Sequence, residues 1–232
     1  MSVYALSDLH GMSDLYKQIK NFLKPEDKVY FLGDAGDRGP RCMETIKLIA
    51  RDPQFIYLKG NHEEMLAHAL RDYLDGYGYS ESQMLSFSNG GHATYEEFLN
   101  EHDEQQLRGW IDYLMSLPEE EQYENEQGHL IVLTHSGYTF GIDSFDKIWN
   151  RAHISQKWPN AYPNIIMVHG HTPNPRLAKR MGQEYDEPGA VYYCGNHKIG
   201  IDAGAVWTDC ALLLDLDTFD EHIFYSDKEM YN

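Results

Sequence analysis

Five short motifs contain side chains that could bind metal ions, and each motif directly follows an apolar run that is typical of a β-strand. The candidate donor residues are Asp8, His10, Asp34, Asn61, His135 and His171. Carboxylate, amide and imidazole groups suit Mn, Fe or Zn better than copper, and no motif contains a cysteine. Arg38 and Arg151 add guanidinium groups that could bind phosphate oxygens. These residue types predict a two-metal hydrolytic site whose substrate carries phosphate.

The spacing of the donors suggests how two ions would share them. Asp8 and His10 are two residues apart, so in a regular strand they would lie on one face and could hold one ion together. Asp34 ends the neighbouring predicted strand and is well placed to bridge both ions. The second ion would be completed by side chains from three further strand ends, Asn61, His135 and His171.

Several of these residues also have a simpler interpretation when each is taken alone. Asp8 and His10 could be a solvated strand end, His135 could be a core histidine bonded to the backbone, and Arg151 could form a surface ion pair. His169 is a rival ligand, because it lies only two residues before His171. A complete ligand set spread over five strand ends nevertheless favours the metal site over coincidence.

Predicted strands and helices alternate along the first 74 residues. Apolar runs over residues 3–6, 29–32 and 55–58 predict strands, and each is followed by a predicted helix, the last over residues 62–74. This β-α order predicts a parallel sheet with right-handed crossovers. In such sheets ligands bind at the carboxyl ends of the strands, where the motifs lie.

The rest of the chain follows a different pattern. Residues 75–91 are rich in Gly, Tyr and Ser and predict a long loop, whereas residues 94–117 predict one or two helices. The glutamate-rich residues 119–126 predict an exposed loop. Later strands lack clear intervening helices and should pair as a mixed or antiparallel sheet, at residues 130–134, 165–168, 198–201, 211–216 and 222–225. The predicted fold class is α/β, two mixed β-sheets packed as a sandwich flanked by helices, with a helical insertion around residues 75–118 that could cover the site.

Composition and charge limit the possible partners and location. The 232 residues suit one domain, 1–232, and 42% hydrophobic with 13% aromatic residues argue against disorder. No apolar run is long enough to span a bilayer, so we expect no membrane partner. The formal charge of −18 disfavours nucleic-acid binding, since phosphate backbones would be repelled. Three widely spaced cysteines are typical of a reducing cytoplasm, and we expect a cytoplasmic protein.

The combined motifs resemble the phosphoprotein phosphatase family of calcineurin-like metallophosphoesterases, particularly its compact bacterial and phage members. The shared pattern is Asp-x-His, Gly-Asp-x-x-Asp-Arg-Gly, Gly-Asn-His-Glu, a later His and Gly-His-Thr. Residues 89–91, 149–151 and 201–205 also resemble stretches of the phage-type enzymes. The resemblance favours His171 over His169 as a ligand. It implies one metal on Asp8, His10 and Asp34, and a second metal on Asp34, Asn61, His135 and His171.

A mechanism is also implied by the resemblance. Two divalent ions, with Mn²⁺ first and Fe or Zn as alternatives, would share a bridging hydroxide that attacks phosphorus in line. Arg38 and Arg151 would clamp the phosphate, and Asn61 would also contact the substrate. His62, oriented by Asp37, would donate a proton to the leaving oxygen. The alternative is that His62 and Asp37 form a scaffold pair without a part in proton transfer.

Three functions are compatible with this chemistry. The first is a phosphomonoesterase acting on phosphoprotein, as a serine/threonine phosphatase, with phosphotyrosine also allowed. The second is a dinucleoside polyphosphate hydrolase, for which the Tyr-rich loop could stack a base. The third is a catalytically silent binding module, which the intact ligand set disfavours. The expected partner is therefore a phosphoprotein or a phosphorylated small molecule.

Overall fold

Two five-stranded β-sheets form the frame of the protein. The computed structural model describes residues 1–142 and 146–227. Its strands in these ranges are β1 (Val3–Leu6), β2 (Lys28–Phe31), β3 (Phe55–Tyr57), β4 (Glu120–Glu124), β5 (Leu130–Thr134), β6 (Ile165–His169), β7 (Val191–Tyr193), β8 (Lys198–Gly200), β9 (Cys210–Asp215) and β10 (Glu221–Tyr225). The first sheet has the order β10-β9-β1-β2-β3 and the second β4-β5-β6-β8-β7. Both are mixed: β1, β2 and β3 are parallel, as are β5, β6 and β8, while β9 and β10 in the first sheet and β4 and β7 in the second pair antiparallel.

Helices connect the strands and cover the outer faces of the sheets. In the described part of the chain they are α1 (Ser13–Phe22), α2 (Cys42–Arg51), α3 (Asn61–Leu74), α4 (Glu81–Ser88), α5 (His92–Glu101), α6 (Glu104–Ser116), α7 (Asn174–Met181) and α8 (Ala205–Thr208), with a 3₁₀ turn at Ala152–Ser155. None of them has the length and apolar character that a membrane span requires. The insertion forms α4, α5 and α6, of which α4 and α6 pack on α3.

Two hydrophobic layers hold the sheets and helices together. Between the sheets, apolar side chains of β1 and β9 face those of β5 and β6, for example Ala5 and Leu212 against Leu133 and Val168. On the other side of the first sheet, a larger cluster includes Leu15, Ile46 and further residues from α1, α2, α3, α5 and α6. The predicted α/β sandwich with flanking helices is therefore confirmed.

Three local predictions from the sequence were wrong, and one strand was not predicted. The predicted loop over residues 75–91 contains α4, whose capping box pairs Ser80 with Gln83, a signal that the glycines and tyrosines around it obscured. The predicted loop over residues 119–126 contains strand β4, an edge strand whose backbone groups on one side pair with β5. The later strands do have a helix among them, α7, and an additional short strand, β7.

The ends of β2 and β3 approach each other so closely that only glycine fits between them. A Cβ atom at Gly33 would lie 2.4 Å from the backbone nitrogen of Gly60, and Gly33 has φ of +94°. We expect Gly33→Ala to lower the free energy of unfolding by about 2–4 kcal/mol, because it adds a backbone clash to an unfavourable φ. Urea denaturation would measure the loss.

Gly76→Ala is the matched control for this substitution. Gly76 has φ of +82°, but a Cβ there would meet nothing within 4 Å. Gly76→Ala should therefore lower the free energy of unfolding only through the unfavourable φ, by about 1 kcal/mol. Equal losses for the two variants would show that the close approach of the two strand ends contributes nothing to stability.

Candidate metal centre

The predicted donor residues lie where strands end, and the two sheets bring these ends together. Asp8 follows β1, Asp34 follows β2, and His135 follows β5. Bonds between the sheets fix their relative positions: His135 Nδ1 donates to Leu32 O (2.7 Å), and the backbone N–H of His171 donates to Asp8 Oδ2 (3.0 Å). Side chains from distant parts of the sequence therefore meet at one edge of the sandwich.

The backbone at this edge is strained. Among the described residues, eleven non-glycine residues have positive φ, and six of them belong to the predicted site. Positive φ costs free energy for residues with a Cβ and is concentrated at functional sites, where the surrounding structure holds it in place. The six residues are Asp8, His10, Asp34, Asp37, Arg38 and His171.

One group of potential metal ligands combines His10, Asp34 and His62, whose donor atoms all lie within 4.8 Å of one another. His10 Nδ1 donates to Gly36 O (2.8 Å), so Nε2, which lies 3.6 Å from Asp34 Oδ2, is the nitrogen that would bind a cation in place of its present partner, Arg38. Asp8 Oδ1 lies 3.9 Å from the same Nε2 atom. Asp8 thus contributes a carboxylate next to this group, as predicted, and His62 joins it as a possible further donor.

A second group combines Asp34, His135 and His171. His135 Nε2 lies 3.4 Å from Asp34 Oδ2, 3.1 Å from His171 Nδ1 and 3.0 Å from Asn61 Oδ1. Asp34 belongs to both groups, as expected of a bridging carboxylate. The rival His169 does not join them, because its Nε2 pairs with the hydroxyl of Tyr193 (2.8 Å).

The electrostatics of these groups suit a bound cation. Burial by itself would lower the pKa of His135, but the negative charge of Asp34 outweighs it and raises the pKa to about 9. Burial favours the neutral form of Asp34, yet the neighbouring His135 and His62 hold its pKa well below the usual range. A field that holds a proton on a buried imidazole also attracts a metal ion, which would displace that proton. His171 Nε2 is buried without a hydrogen-bond partner among the described residues.

His62 and Asp37 form a close pair beside the ligand groups. His62 Nδ1 donates to Asp37 Oδ2 (2.6 Å), and both side chains are buried. Burial lowers the pKa of His62, but the charges of Asp34 and Asp37 outweigh burial and raise it above the usual value. The pair therefore has the hydrogen bond and the charge that a proton donor needs, while His62 Nε2 lies 3.8 Å from Asp34 Oδ2.

The two predicted phosphate-binding arginines lie at the rim of the cluster. Arg38 donates to Nε2 of His10 (2.6 Å) and to Nε2 of His62 (2.8 Å). Arg151 donates to His171 O (3.3 Å), and the preceding Asn150 is anchored through its N–H to Ser136 Oγ (3.0 Å). Both residues are exposed overall, and their guanidinium groups are close to the proposed ligands, where they could contact a bound phosphate.

The helical insertion contacts the site through the segment between α4 and α5 and through α5 itself. The segment between α4 and α5 accepts two hydrogen bonds from Arg38, one from its backbone N–H to Gly90 O (3.2 Å) and one from Nε to Asn89 O (3.2 Å). A Cβ at Gly90 would lie 2.9 Å from Arg38 Cγ. Thr94 accepts from the N–H of Asp37 (3.2 Å). The insertion thus supports Arg38 and Asp37, a role that the sequence alone did not reveal.

Glu63 is the residue that the sequence interpretation passed over. It is 2% exposed, and its carboxylate accepts backbone N–H bonds from Asp34 (2.8 Å), Ala35 (2.9 Å) and Gly60 (2.8 Å), as well as the hydroxyl of Tyr57 (2.7 Å). Its position in Gly-Asn-His-Glu, three residues after a helix N-cap, was the available signal. Glu63 fixes the loop that carries Asp34.

The first 203 residues match a known protein family. The family profile described as "Calcineurin-like phosphoesterase" matches residues 1–203. The chain belongs to this family. The family is one of phosphoesterases, and the two ligand groups are the candidate metal sites of this chain.

One relative matches this calcineurin-like phosphoesterase over part of its sequence. The symmetrical bis(5'-nucleosyl)-tetraphosphatase of Buchnera aphidicola subsp. Schizaphis graminum (strain Sg) is 29% identical over 156 residues, which are 63% of this chain and 49% of that protein. The match thus spans about half of that relative's length.

Solved structures resemble this chain over nearly its full length. The crystal structure of a candidate diadenosine tetraphosphatase has a TM-score of 0.62 at 15% identity, with 97% of this chain and 94% of that chain covered. The cold-active protein-tyrosine phosphatase of a psychrophilic Shewanella species has a TM-score of 0.56 at 15% identity, with 97% and 80% covered. At these identities the likeness shows a common fold.

The role of Glu63 can be tested by Glu63→Gln. The amide offers one acceptor oxygen in place of two, so buried N–H groups lose their partner, and we expect a loss of about 2–3 kcal/mol in unfolding free energy. Because the same bonds position Asp34, Mn²⁺ affinity should fall about 10–100-fold, as for other residues that orient metal ligands. Urea denaturation and calorimetric Mn²⁺ titration would measure these effects.

Glu104→Gln provides the control, because Glu104 is exposed on α6 and forms a surface ion pair with Arg108. It should change stability by less than about 0.5 kcal/mol and leave Mn²⁺ binding unchanged. Wild-type Mn²⁺ affinity in Glu63→Gln would contradict the positioning role.

Proposed function

We propose that this calcineurin-like phosphoesterase uses two divalent metal ions that share Asp34. Asp8 and His10 would complete the first site, and Asn61, His135 and His171 the second. The observation that carries the proposal is the presence of Asp34 in both ligand groups, within 3.4–3.8 Å of the nearest imidazole nitrogens of His10, His62 and His135. The donor set of carboxylate, amide and imidazole suits Mn²⁺, with Fe or Zn as alternatives.

The chain's own residues would orient the substrate and complete proton transfer. When bound, the ions supply an activated water and neutralise charge on the phosphoryl group. Arg38 and Arg151 would bind the remaining phosphoryl oxygens and hold phosphorus in line for attack. With Arg38 turned from His62 Nε2 to the phosphate, His62 would carry a proton on Nε2 and give it to the leaving oxygen, while Asp37 keeps the imidazole oriented through Nδ1.

We place a dinucleoside polyphosphate first among the substrates, ahead of the phosphoprotein that the sequence favoured. The bis(5'-nucleosyl)-tetraphosphatase is the relative that supports this order. Positive charge at the rim supports it as well, because Arg176 and Arg180 lie near Arg38 and Arg151. A substrate with several phosphates would use more of these groups than a single phosphoserine.

A protein phosphatase is the second candidate, and the His62–Asp37 pair is the observation that favours it. An alkoxide leaving from phosphoserine is a poor leaving group and depends strongly on a proton donor. A phosphate leaving from a polyphosphate depends on it less. A buried imidazole with a raised pKa is therefore well suited to a phosphomonoester.

Comparative assays of Mn²⁺-loaded protein would decide between the two candidates. Diadenosine tetraphosphate should have a kcat/KM at least tenfold higher than a phosphoserine peptide or p-nitrophenyl phosphate. The reverse order would establish the protein phosphatase. No hydrolysis of any of the three, with metal bound, would favour the binding module.

The shared carboxylate can be tested by Asp34→Asn. Because the amide lacks the negative charge that both sites would use, we expect Mn²⁺ content to fall from two ions to one or none per chain. Activity should fall by at least 10³-fold, several kcal/mol of lost transition-state stabilisation. Elemental analysis and steady-state kinetics would measure both, and Asp112→Asn, at an exposed position on α6, is the control. Wild-type stoichiometry and activity would refute the bridging role.

The role of His62 can be separated from metal binding by His62→Asn. Loss of a general acid should lower kcat by roughly 10²–10⁴-fold while two Mn²⁺ ions remain bound. The exposed His92→Asn on α5 should change neither quantity. If Mn²⁺ were lost together with activity, His62 would be a ligand of the first site. Its donor nitrogen lies close enough for this, because His62 belongs to the ligand group with His10 and Asp34.

A further inference from the structure

A large aromatic side chain lies exposed at the rim of the candidate metal centre. Trp207 belongs to α8 and is 56% exposed. Its indole and the turn that follows the Gly-His-Thr motif both border Gly204, since a Cβ there would be 3.6 Å from Trp207 Cε3 and 3.6 Å from Pro173 Cβ. The ring is thus available to a ligand bound next to His171. Trp207 also lies outside residues 1–203, the part that the family profile matches.

Two guanidinium groups lie beside this exposed ring. Arg38 Cζ is 5.5 Å and Arg176 Cζ is 5.6 Å from the ring centroid of Trp207, which is within the range of cation–π contacts. Arg38 also donates to His10 and His62, so a single side chain separates the indole from the ligand cluster. A group bound on Trp207 would therefore be close to a phosphate bound at the metal centre.

The charge around the ring favours an anion longer than one phosphate. Arg176 is exposed on α7, and within residues 1–142 and 146–227 no carboxylate forms an ion pair with it. Burial and the nearby positive charge of Arg180 lower the pKa of Arg151. Four arginines thus gather at one mouth of a chain whose formal charge is −18. Unpaired guanidinium groups beside the two phosphate-clamping arginines could bind further phosphates.

We infer that Trp207 and Arg176 form a nucleotide subsite, in which a nucleobase stacks on the indole and Arg176 binds a phosphate beyond the one that is hydrolysed. The inference rests on the proposed phosphoesterase function and names the residues that select its substrate. Stacking of a base on an aromatic side chain contributes roughly five- to 150-fold in affinity, whatever the base. A phosphoserine side chain has no ring to occupy this position.

The test compares ADP with pyrophosphate, two ligands that differ in the nucleoside. Calorimetric titration of Mn²⁺-loaded protein should give a Kd for ADP about tenfold lower than for pyrophosphate. Trp207→Leu should abolish this preference, because leucine keeps an apolar side chain but offers no π face. Trp207→Phe should retain most of it. Arg176→Ala should weaken both ligands about three- to tenfold, since both carry the second phosphate.

Catalysis provides an independent measurement. The ratio of kcat/KM for diadenosine tetraphosphate to kcat/KM for a phosphoserine peptide should fall about tenfold in Trp207→Leu, mainly through a higher KM for the dinucleotide. Tyr225→Leu and Arg108→Ala are matched controls, because both residues are exposed and lie outside the candidate site, on β10 and α6. Both controls should retain the wild-type ratio.

Failure of the subsite and failure of the proposed substrate would give different results. An ADP preference that persists in Trp207→Leu would overturn the subsite, even if the dinucleotide were a good substrate. A wild-type protein that cleaves the phosphopeptide but not the dinucleotide would overturn the substrate order, while the ADP titrations would still test Trp207. A loss confined to the phosphopeptide in Trp207→Leu would also overturn the subsite, because the ring would then contact peptide.

Discussion

The buried carboxylate of Glu63 is the interaction on which the rest of the site depends. It joins the ends of two parallel strands by accepting backbone N–H groups on both sides, from Asp34 and Ala35 after β2 and from Gly60 after β3. These N–H groups point into the protein where water cannot satisfy them, so loss of the carboxylate would leave them unpaired. The bonds hold Asp34 at positive φ, with its side chain directed at the histidines from both sheets. One residue outside the proposed ligand set thus determines where the shared ligand lies.

Charge is distributed unevenly between the interior of the site and its mouth. Asp8, Asp34 and Asp202 are all buried near one another, and burial together with the charge of Asp8 raises the pKa of Asp202 well above its usual range. Such a concentration of carboxylates is unfavourable without cations, which is the physical reason to expect metal ions there. The arginines at the mouth have the opposite sign. They would attract a phosphorylated substrate toward a protein whose overall charge would otherwise repel it.

The helical insertion links the variable middle of the chain to this chemistry. It packs on α3, the helix that begins with Asn61 and His62, and its α4–α5 segment binds Arg38 through the carbonyl groups of Asn89 and Gly90. A substitution within the insertion can therefore affect both His62, the proposed proton donor, and Arg38, which would bind phosphate, without altering a proposed metal ligand. The insertion supports the site from one side, and its exposed tyrosines, Tyr77 and Tyr79, remain in solvent.

The sequence by itself determined the fold class and the identity of the proposed ligands, because apolar runs specify strands locally and the motifs follow those runs directly. It also separated His171 from His169, two residues with the same chemistry, through the motif around His171. Only the tertiary structure decided which donors meet, since His135 and Asp34 are a hundred residues apart and come together through the packing of two sheets. For the same reason, Glu63, Gly90 and Trp207 could not be given roles from sequence: each acts on a neighbour that the fold supplies. Strand β4 was missed because its glutamates resemble a loop until β5 provides the hydrogen bonds that make them a strand.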